Sequence, residues 1–462
     1  MSRKVHVVGV GGAGMSAIAR VLMERGDQVS GSDLTMTPFA ESLAESGVPI
    51  TIGHRAEAVN GADLVLASSA VPDSNVELEA AIAAGIPVLR RPAFLSELVE
   101  GYRTVAISGT HGKTTTTAMI AWILDRAGLQ PSYIVGGIPK DLGTNSRQGS
   151  GDHFVIEADE YDQAFLSLHP AIAVLTNVEH DHPDDFPNFE AYRDAFETFV
   201  SGVQETLIAN ADDPVAMEMP SDGLMRVTFG LGKSADWRAV NIQTNDAGGM
   251  DFVAVGGDRT TALVRLRLPG EHNIRNALGA LAAVNALNVD FATAREALAD
   301  FHGVERRFEI LGEVGGVTVI DDYAHHPSEI QATLAAARQR YGSAEIWAVF
   351  QPHTYSRTAT LFDQLTESFT DADHVIVTDI YAAREDPVPG VSGRELADKI
   401  AASDVTFIPE FEQVARKLVK RVKPNSVVLT LSAGDANQVG KLVLKELSDG
   451  VGEGEAPGGS HA

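Results

Sequence analysis

The chain has no cysteine in its 462 residues. That excludes disulfides, thiolate metal sites and a cysteine nucleophile. Positive charge is scarce as well: 36 Lys and Arg stand against 63 Asp and Glu, a formal net charge of −27. Nucleic acid and anionic membrane surfaces need concentrated cations, so neither is an expected partner. No uncharged apolar stretch reaches 18 residues, and no membrane insertion is expected. The opening MSRKVHVVGVGG carries basic residues before an apolar run, but His6 interrupts that run, glycines end it and no small-residue cleavage site follows. The chain is expected to be cytoplasmic. With so few cations, any phosphate chemistry must gather them at one site and draw on helix N-termini and metal.

Apolar residues make up 44% of the chain, enough to give each of about three domains its own core. Three blocks share one plan, an apolar strand that ends in a polar or Gly-rich turn before a helix. They are KVHVVGV before AGMSAIARVLMERG, RTVAISGT before TTTTAMIAWILDRAG, and VTVIDDYAHHPSEI before ATLAAARQRYG. Strands alternating with helices of period 3.6 predict parallel sheets covered by helices, with ligands beyond the strands' carboxyl ends. The boundaries fall near residues 102 and 305, giving domains at 1–102, 103–305 and 306–448. The tail 449–462 lacks apolar periodicity and is expected to be unstructured.

The segment AISGTHGKTTTT falls short of the common phosphate-loop pattern, because Ile107 stands where a glycine is usual and Gly109 and Gly112 lie only three apart. Strand before and helix after still make it a phosphate cradle. Lys113 reaches the β and γ phosphates and Thr114 offers a hydroxyl to Mg²⁺. Metal ligands are expected among Glu157 and Asp159 in FVIEADEYD and among His180, Asp181 and His182 in TNVEHDHPDDF. The first turn spells G-x-G-x-x-G at Gly9, Gly11 and Gly14, with Asp33 downstream. On pattern alone that is a dinucleotide fingerprint. Physically it says that a diphosphate sits on a helix N-terminus. A dehydrogenase built on this turn leaves the second nucleotide loop and the metal clusters without a role. A nucleotide-sensing module has no need of them all together.

The ordered set VGVGGAGMSAIARVL, SGTHGKTTTT, EADEYD, TNVEHDHPD, PGEHNIRNAL, ERRFE, DDYAHHPSE and FQPHTYSRT resembles the Mur ligases over nearly the whole chain except the tail. The resemblance implies an α/β protein of three domains: a Rossmann-like N-terminal domain for a UDP sugar, a central phosphate-loop ATPase with a parallel sheet, and a Rossmann-like C-terminal domain closing over both. It also implies the alanine-adding branch, in which ATP activates the carboxylate of UDP-N-acetylmuramate for attack by L-alanine.

By motif, Gly9, Gly11, Gly12, Gly14, Asp33 and Ser68 are then expected to hold the UDP sugar. Gly109, Thr110, His111, Gly112, Lys113, Thr114, Thr115, His272, Asn273, Asn276 and Arg307 are expected to hold ATP, with Asp321 or Asp322 at the ribose and Asp322 counted among the contacts. Thr114, Glu157 and His182 are the expected Mg²⁺ ligands. Sister ligases carry a carbamylated lysine at a metal site, and TNVEHDHPD has no lysine, which gives that part to His182. Lys113, His182 and His325 are placed at the reacting centre, and His353 and Arg357 at the amino acid. Two positions depart from the family pattern: Thr354, where some members have a basic residue, and Ser432, where glycine is common. An enzyme of the same fold that attaches a recycled peptide to the same sugar shares much of this motif set and is the nearest rival. Oligomeric state is not legible.

Overall fold

The computed structural model describes residues 2–183, 185–256 and 261–453. It contains three α/β layers built in chain order. The first is a five-stranded, wholly parallel sheet of Lys4–Val8, Gln28–Asp33, Ile50–Ile52, Leu64–Ala67 and Val88–Arg90. The chain starts at the centre and winds outward to both sides. Val5, Val7 and Val8 are buried, as expected for a strand covered on both faces. The reversal of winding beside Lys4–Val8 leaves a crevice at its carboxyl end, where the Gly-rich turn lies.

The second sheet has ten strands. Its parallel part surrounds Arg103–Ser108, flanked by Ile172–Leu175 and His153–Glu157. Around this parallel centre, both edges of the sheet are antiparallel. Trp237–Thr244, Met250–Val255 and Thr261–Leu266 run as an antiparallel meander, and Ser132–Ile134 pairs antiparallel with Ser146–Arg147. The reason lies in the connections: turns such as NDAGGM are too short for a crossover helix and allow only antiparallel pairing. Helix Lys113–Arg126 packs on this sheet beside helix Glu271–Ala286 and against Phe291–Asp300, and Trp122 Nε1 donates to the Ala297 carbonyl at 2.8 Å.

The third sheet orders Glu309–Val314, Val317–Asp322, Ser426–Leu431, Glu345–Phe350, His374–Val377 and Val405–Phe407. It is parallel except for the first hairpin, closed by Gly315 and Gly316, both at positive φ. Helix Asn437–Glu453 covers one face and extends five residues into the segment expected to be unstructured. Val439 and Val443 are buried and Leu447 packs on the same cluster. Once these turns are formed, each further residue adds to the helix at little cost. Residues 454–462 lie outside the described residues.

Among the described residues no helix is long and apolar enough to cross a membrane. The carboxyl ends of Arg103–Ser108 and Val317–Asp322 face one another across the cleft between the second and third layers. Ser328 Oγ donates to Glu179 there at 2.6 Å.

Candidate active site

The turn after Arg103–Ser108 is held from the neighbouring strand. The His111 N–H donates to Asn177 Oδ1 at 2.9 Å, and the His111 carbonyl accepts from Thr176 Oγ1 at 2.6 Å and Asn177 Nδ2 at 3.0 Å. Thr110 Oγ1 accepts from the Glu179 N–H at 2.8 Å. The TNVE stretch therefore shapes the cradle, a role that motif reading left unassigned. Gly112 has φ +82, and a Cβ there would lie 2.5 Å from Asn276 Oδ1. Only glycine lets the loop pass this close to helix Glu271–Ala286.

Lys113 folds over the loop. Its Nζ donates to the Gly109 and Thr110 carbonyls at 2.7 and 3.1 Å and pairs with Glu160 at 2.8 Å. Burial pushes its pKa down, but Glu160, Asp159 and Glu157 outweigh burial and raise it to about 12. The ammonium is charged at any working pH. Glu160, fully buried and passed over by sequence reading, is its counter-ion.

Thr114 Oγ1 donates to Glu157 at 2.8 Å, and the Gly136 N–H donates to the other Glu157 oxygen at 2.5 Å. Burial first, then Asp159, raises the Glu157 pKa against the pull of Lys113. His182, at φ +52, groups with Asp159 and Glu160, all three ligand atoms lying within 4.8 Å of one another. Glu157 stands outside this triad and joins the hydroxyl of Thr114. Two oxygen-rich groups thus flank Lys113, a donor set that suits a hard divalent cation.

A cavity of about 240 Å³ opens between the second and third layers. Of the expected ATP contacts, His111, Gly112, Thr114, Thr115, His272, Asn273, Asn276, Arg307 and Asp322 line it, while Gly109, Thr110 and Lys113 lie beside it in the loop. Arg307 stacks its guanidinium on Tyr323 and faces Glu329 at 3.6 Å. Asp322 accepts from the Phe308 and Ala324 N–H groups at 2.6 and 2.8 Å, and burial lifts its carboxyl to about 6 against the pull of Arg307. Asp321 instead pairs with Arg306 at 3.1 Å and lies away from the cavity lining. Arg275, Glu179, Ser328 and Glu329 also line the cavity; all four lie within the motifs quoted above but were given no role there.

Where the third layer meets the TNVEHDHPD loop, Arg357 Nε donates to Asp181 at 2.7 Å and Nη1 contacts His353 Nδ1 at 2.9 Å. The His353 ring lies 5.7 Å from that of His325 and stacks on Tyr381. Burial drops His325 to about 3 and His353 to about 4, with Arg357 adding to both, so both rings are neutral. Thr354 takes φ +60 and ψ 149, a region that β-branched residues avoid. Its hydroxyl caps helix Tyr355–Thr360 and meets Ser356, which is held by Glu385. The buried Ser432 hydroxyl donates to Gln351 at 2.7 Å and accepts from the Gly434 N–H, a structural role.

The first layer carries the glycine-rich turn apart from this cavity. Asp33 Oδ2 accepts from the Gly11 N–H at 2.8 Å, and Thr37 Oγ1 donates to the Gly11 carbonyl at 2.8 Å. Asp33 is therefore committed to shaping the turn. Gly12 caps helix Ala13–Glu24 with no side-chain partner, leaving the first N–H groups to a ligand. Gly9 packs on Ser68, and Arg91 sits against Gly14 while facing Asp159 of the second layer at 3.9 Å.

Comparison with known proteins matches all three layers to one family. Residues 4–103 match the Mur ligase family catalytic domain, 107–284 the Mur ligase middle domain, and 306–434 the Mur ligase glutamate ligase domain. The UDP-N-acetylmuramate–L-alanine ligase of Caldanaerobacter subterraneus is 42% identical over 451 residues, covering 96% of this chain and 98% of the relative. The chain belongs to the Mur ligase family. The relative of the same description from Salinibacter ruber is 42% identical over 97% of this chain and 96% of its own length. Among solved structures, the UDP-N-acetylmuramate–alanine ligase of Thermotoga maritima superposes with a TM-score of 0.82 at 29% identity, covering 97% of this chain and 100% of that one. A murein peptide ligase from Psychrobacter arcticus gives 0.73 at 28% identity, covering 97% and 99%. As a Mur ligase the chain has the three-domain α/β fold of the family, with the phosphate loop in its middle domain.

Proposed function

We propose that this Mur ligase joins L-alanine to the carboxylate of UDP-N-acetylmuramate with hydrolysis of ATP to ADP and phosphate, in the cytoplasmic assembly of peptidoglycan precursors. The observation that carries the reading is the cavity shared by the phosphate loop and Arg307 and Asp322 of the closing layer, with Arg357 and His353 a short step away. ATP fits the first place and an amino-acid carboxylate the second, since a guanidinium fork matches a carboxylate.

A carboxylate is a poor acyl donor because its leaving group would be oxide. One of its oxygens attacks the γ-phosphorus, ADP departs, and the acyl phosphate now carries a good leaving group. The alanine nitrogen attacks the acyl carbon, a tetrahedral intermediate collapses, and phosphate leaves. Lys113 stabilises charge on the transferring phosphoryl group. The alanine ammonium must shed a proton before it attacks, and His325 and His353, both held neutral, are the acceptors the chain offers. Magnesium would be held by Thr114, Glu157 and His182 and, when bound, offsets the charge that two carboxylate substrates and a triphosphate bring together.

A second reading is addition of a recycled peptide to the same sugar, the nearest rival by motif. The 42%-identical relatives and the higher superposition score favour the amino acid. The deciding experiment follows ADP release with UDP-N-acetylmuramate and, in turn, L-alanine, L-serine, glycine and a tripeptide. Release with L-alanine at least tenfold faster than with the tripeptide supports the proposal; the reverse order overturns it. Serine and glycine serve as the finer measure, since one methyl group is worth only about 1–3 kcal/mol.

A further inference from the structure

Beside the phosphate loop, and apart from the magnesium ligands, three side chains from three separate segments converge. His111 comes from the loop itself, Glu179 from the turn after Ile172–Leu175, and His326 from the N-cap of helix Pro327–Tyr341. We propose that His111, Glu179 and His326 form a binding site for a zinc-type divalent cation that ties the phosphate loop to the C-terminal domain.

The distances suit such an ion. His111 Nε2 lies 3.1 Å from Glu179 Oε2, and His326 Nδ1 lies 3.7 Å from the same oxygen. One ligand atom from each residue falls within 4.8 Å of the others. Tetrahedral zinc with bonds of about 2.1 Å keeps its ligands about 3.4 Å apart, so the first two spacings bracket the required value. Two imidazoles and one carboxylate are a donor set that zinc takes readily and magnesium does not.

Burial pushes the His111 pKa down, but Glu179 and Glu329 outweigh it and raise it to about 9, so a bound ion must displace a proton from this ring. His111 Nδ1 faces Glu329 Oε1 at 3.3 Å, so the far side of the ring is oriented by a carboxylate while Nε2 turns to the site. His326 is only 3% exposed, and its Nε2 has no hydrogen-bond partner among the described residues. Its Nδ1, the atom facing Glu179, also accepts from the Ser328 N–H at 3.3 Å as the helix cap, so an ion bound there would take that lone pair from the cap. The Ser328 hydroxyl donates to the same Glu179 oxygen at 2.6 Å and holds that carboxylate in place. Because His111 belongs to the cradle and His326 to the closing domain, a bound ion pins the two together.

The test uses the full-length protein, free of nucleotide, titrated with Co²⁺ as a spectroscopic stand-in for Zn²⁺. One equivalent per chain should give the intense visible band of a tetrahedral N/O site, and Zn²⁺ should bleach it. Zn²⁺ should also raise the melting temperature of the wild type. Glu179→Gln and His326→Asn should each weaken the band at least tenfold. Asparagine retains the helix cap, so a folded protein that loses the band isolates the imidazole. His182→Ala, outside this site, should keep both the band and the zinc shift. Absence of a tetrahedral band, a band unaffected by Glu179→Gln and His326→Asn, or one abolished by His182→Ala overturns the proposal.

Discussion

Arg357 and Asp181, both about 5% exposed, form a 2.7 Å ion pair that joins the C-terminal layer to the loop carrying His182. The pair spans 176 residues of chain and brings the amino-acid side of the site against the metal side. Asp181 sits well below the usual carboxylate range; burial works to raise it, and Arg357 overcomes that. Arg357→Lys keeps the charge but loses the fork that reaches Asp181 and His353 together. We expect the KM for L-alanine to rise about tenfold or more while the KM for ATP changes little, measured by phosphate release. Arg357→Ala leaves Asp181 buried without that partner and should destabilise the protein by about 3–5 kcal/mol in thermal or urea unfolding. Equal changes in both KM values would detach Arg357 from the amino acid.

Lys113 carries the next prediction. Its Nζ is ringed by two loop carbonyls and Glu160. Lys113→Ala should lower kcat by roughly 10²-fold or more, the scale of losing one preorganised charge donor. Circular dichroism and melting of the variant must accompany the rate, because Glu160 then loses its counter-ion. Near-normal turnover by a folded variant would remove the loop from the chemistry.

How much of this was legible beforehand follows from how local each feature is. The strand, Gly-Lys turn and helix at 103–126 are contiguous, so composition and period reveal them together. Nine of the expected ATP contacts line one cavity because each sits at a strand end or helix start that the pattern marks. Glu160, Glu179 and Glu329 stayed hidden: an acid in a polar loop looks solvated until residues 47, 68 and more than 200 positions away close over it. The antiparallel edges of the middle sheet went unread, because none of the strand–helix blocks covers 132–147 or 237–266. Asp33 was read as reaching a ligand, and its Oδ2 also accepts from the Gly11 amide, a turn-shaping bond that the pattern does not reveal.

The metal prediction rests on Thr114, Glu157 and His182. Loss of His182 should raise the Mg²⁺ concentration needed for half-maximal activity, and Glu157→Gln should do so more strongly, since it removes a charge. Magnesium titrations of ADP release measure both. Curves that overlay the wild type would return His182 to a purely structural place beside Asp181.

Glu77 gives a test of stability rather than chemistry. It is fully buried in the first layer, where it accepts from Ser32 Oγ at 2.5 Å and the Arg55 N–H at 3.1 Å, with His54 and His6 at 3.2 and 3.5 Å. Burial pushes its carboxyl up, but His6, Ser32 and Arg55 together hold it down at about 2. A folded pKa below the unfolded one means stability that is fully present above about pH 4.5 and lost as pH falls toward 2. Glu77→Gln should cost about 1–3 kcal/mol at pH 7. The gap between wild type and variant in urea unfolding should shrink across that acidic window. A gap independent of pH would mean that Glu77 is not ionised in the fold.

The glycine turn at 9–14 cannot by itself choose between a UDP sugar and a nicotinamide dinucleotide, since both offer a diphosphate to helix Ala13–Glu24, so the neighbouring residues must. Asp33, the residue that a dinucleotide reader would aim at a ribose, accepts from the Gly11 N–H through Oδ2. A Cβ on Gly11 would meet Asp33 Oδ2 and Thr37 Oγ1 at 2.9 Å each, so Gly11→Val must push apart the two side chains that shape the turn. The Lys113 site is more than a hundred residues away in sequence and in a different layer, so nucleotide binding there provides an internal control. Isothermal titration of the full chain should show UDP-N-acetylmuramate binding by the wild type, at least 10²-fold weaker binding by Gly11→Val, and ATP binding preserved in both. NAD should give no heat with either protein. Tight NAD binding without a response to the UDP sugar would overturn the assignment of this turn and, with it, the first substrate of the proposed reaction.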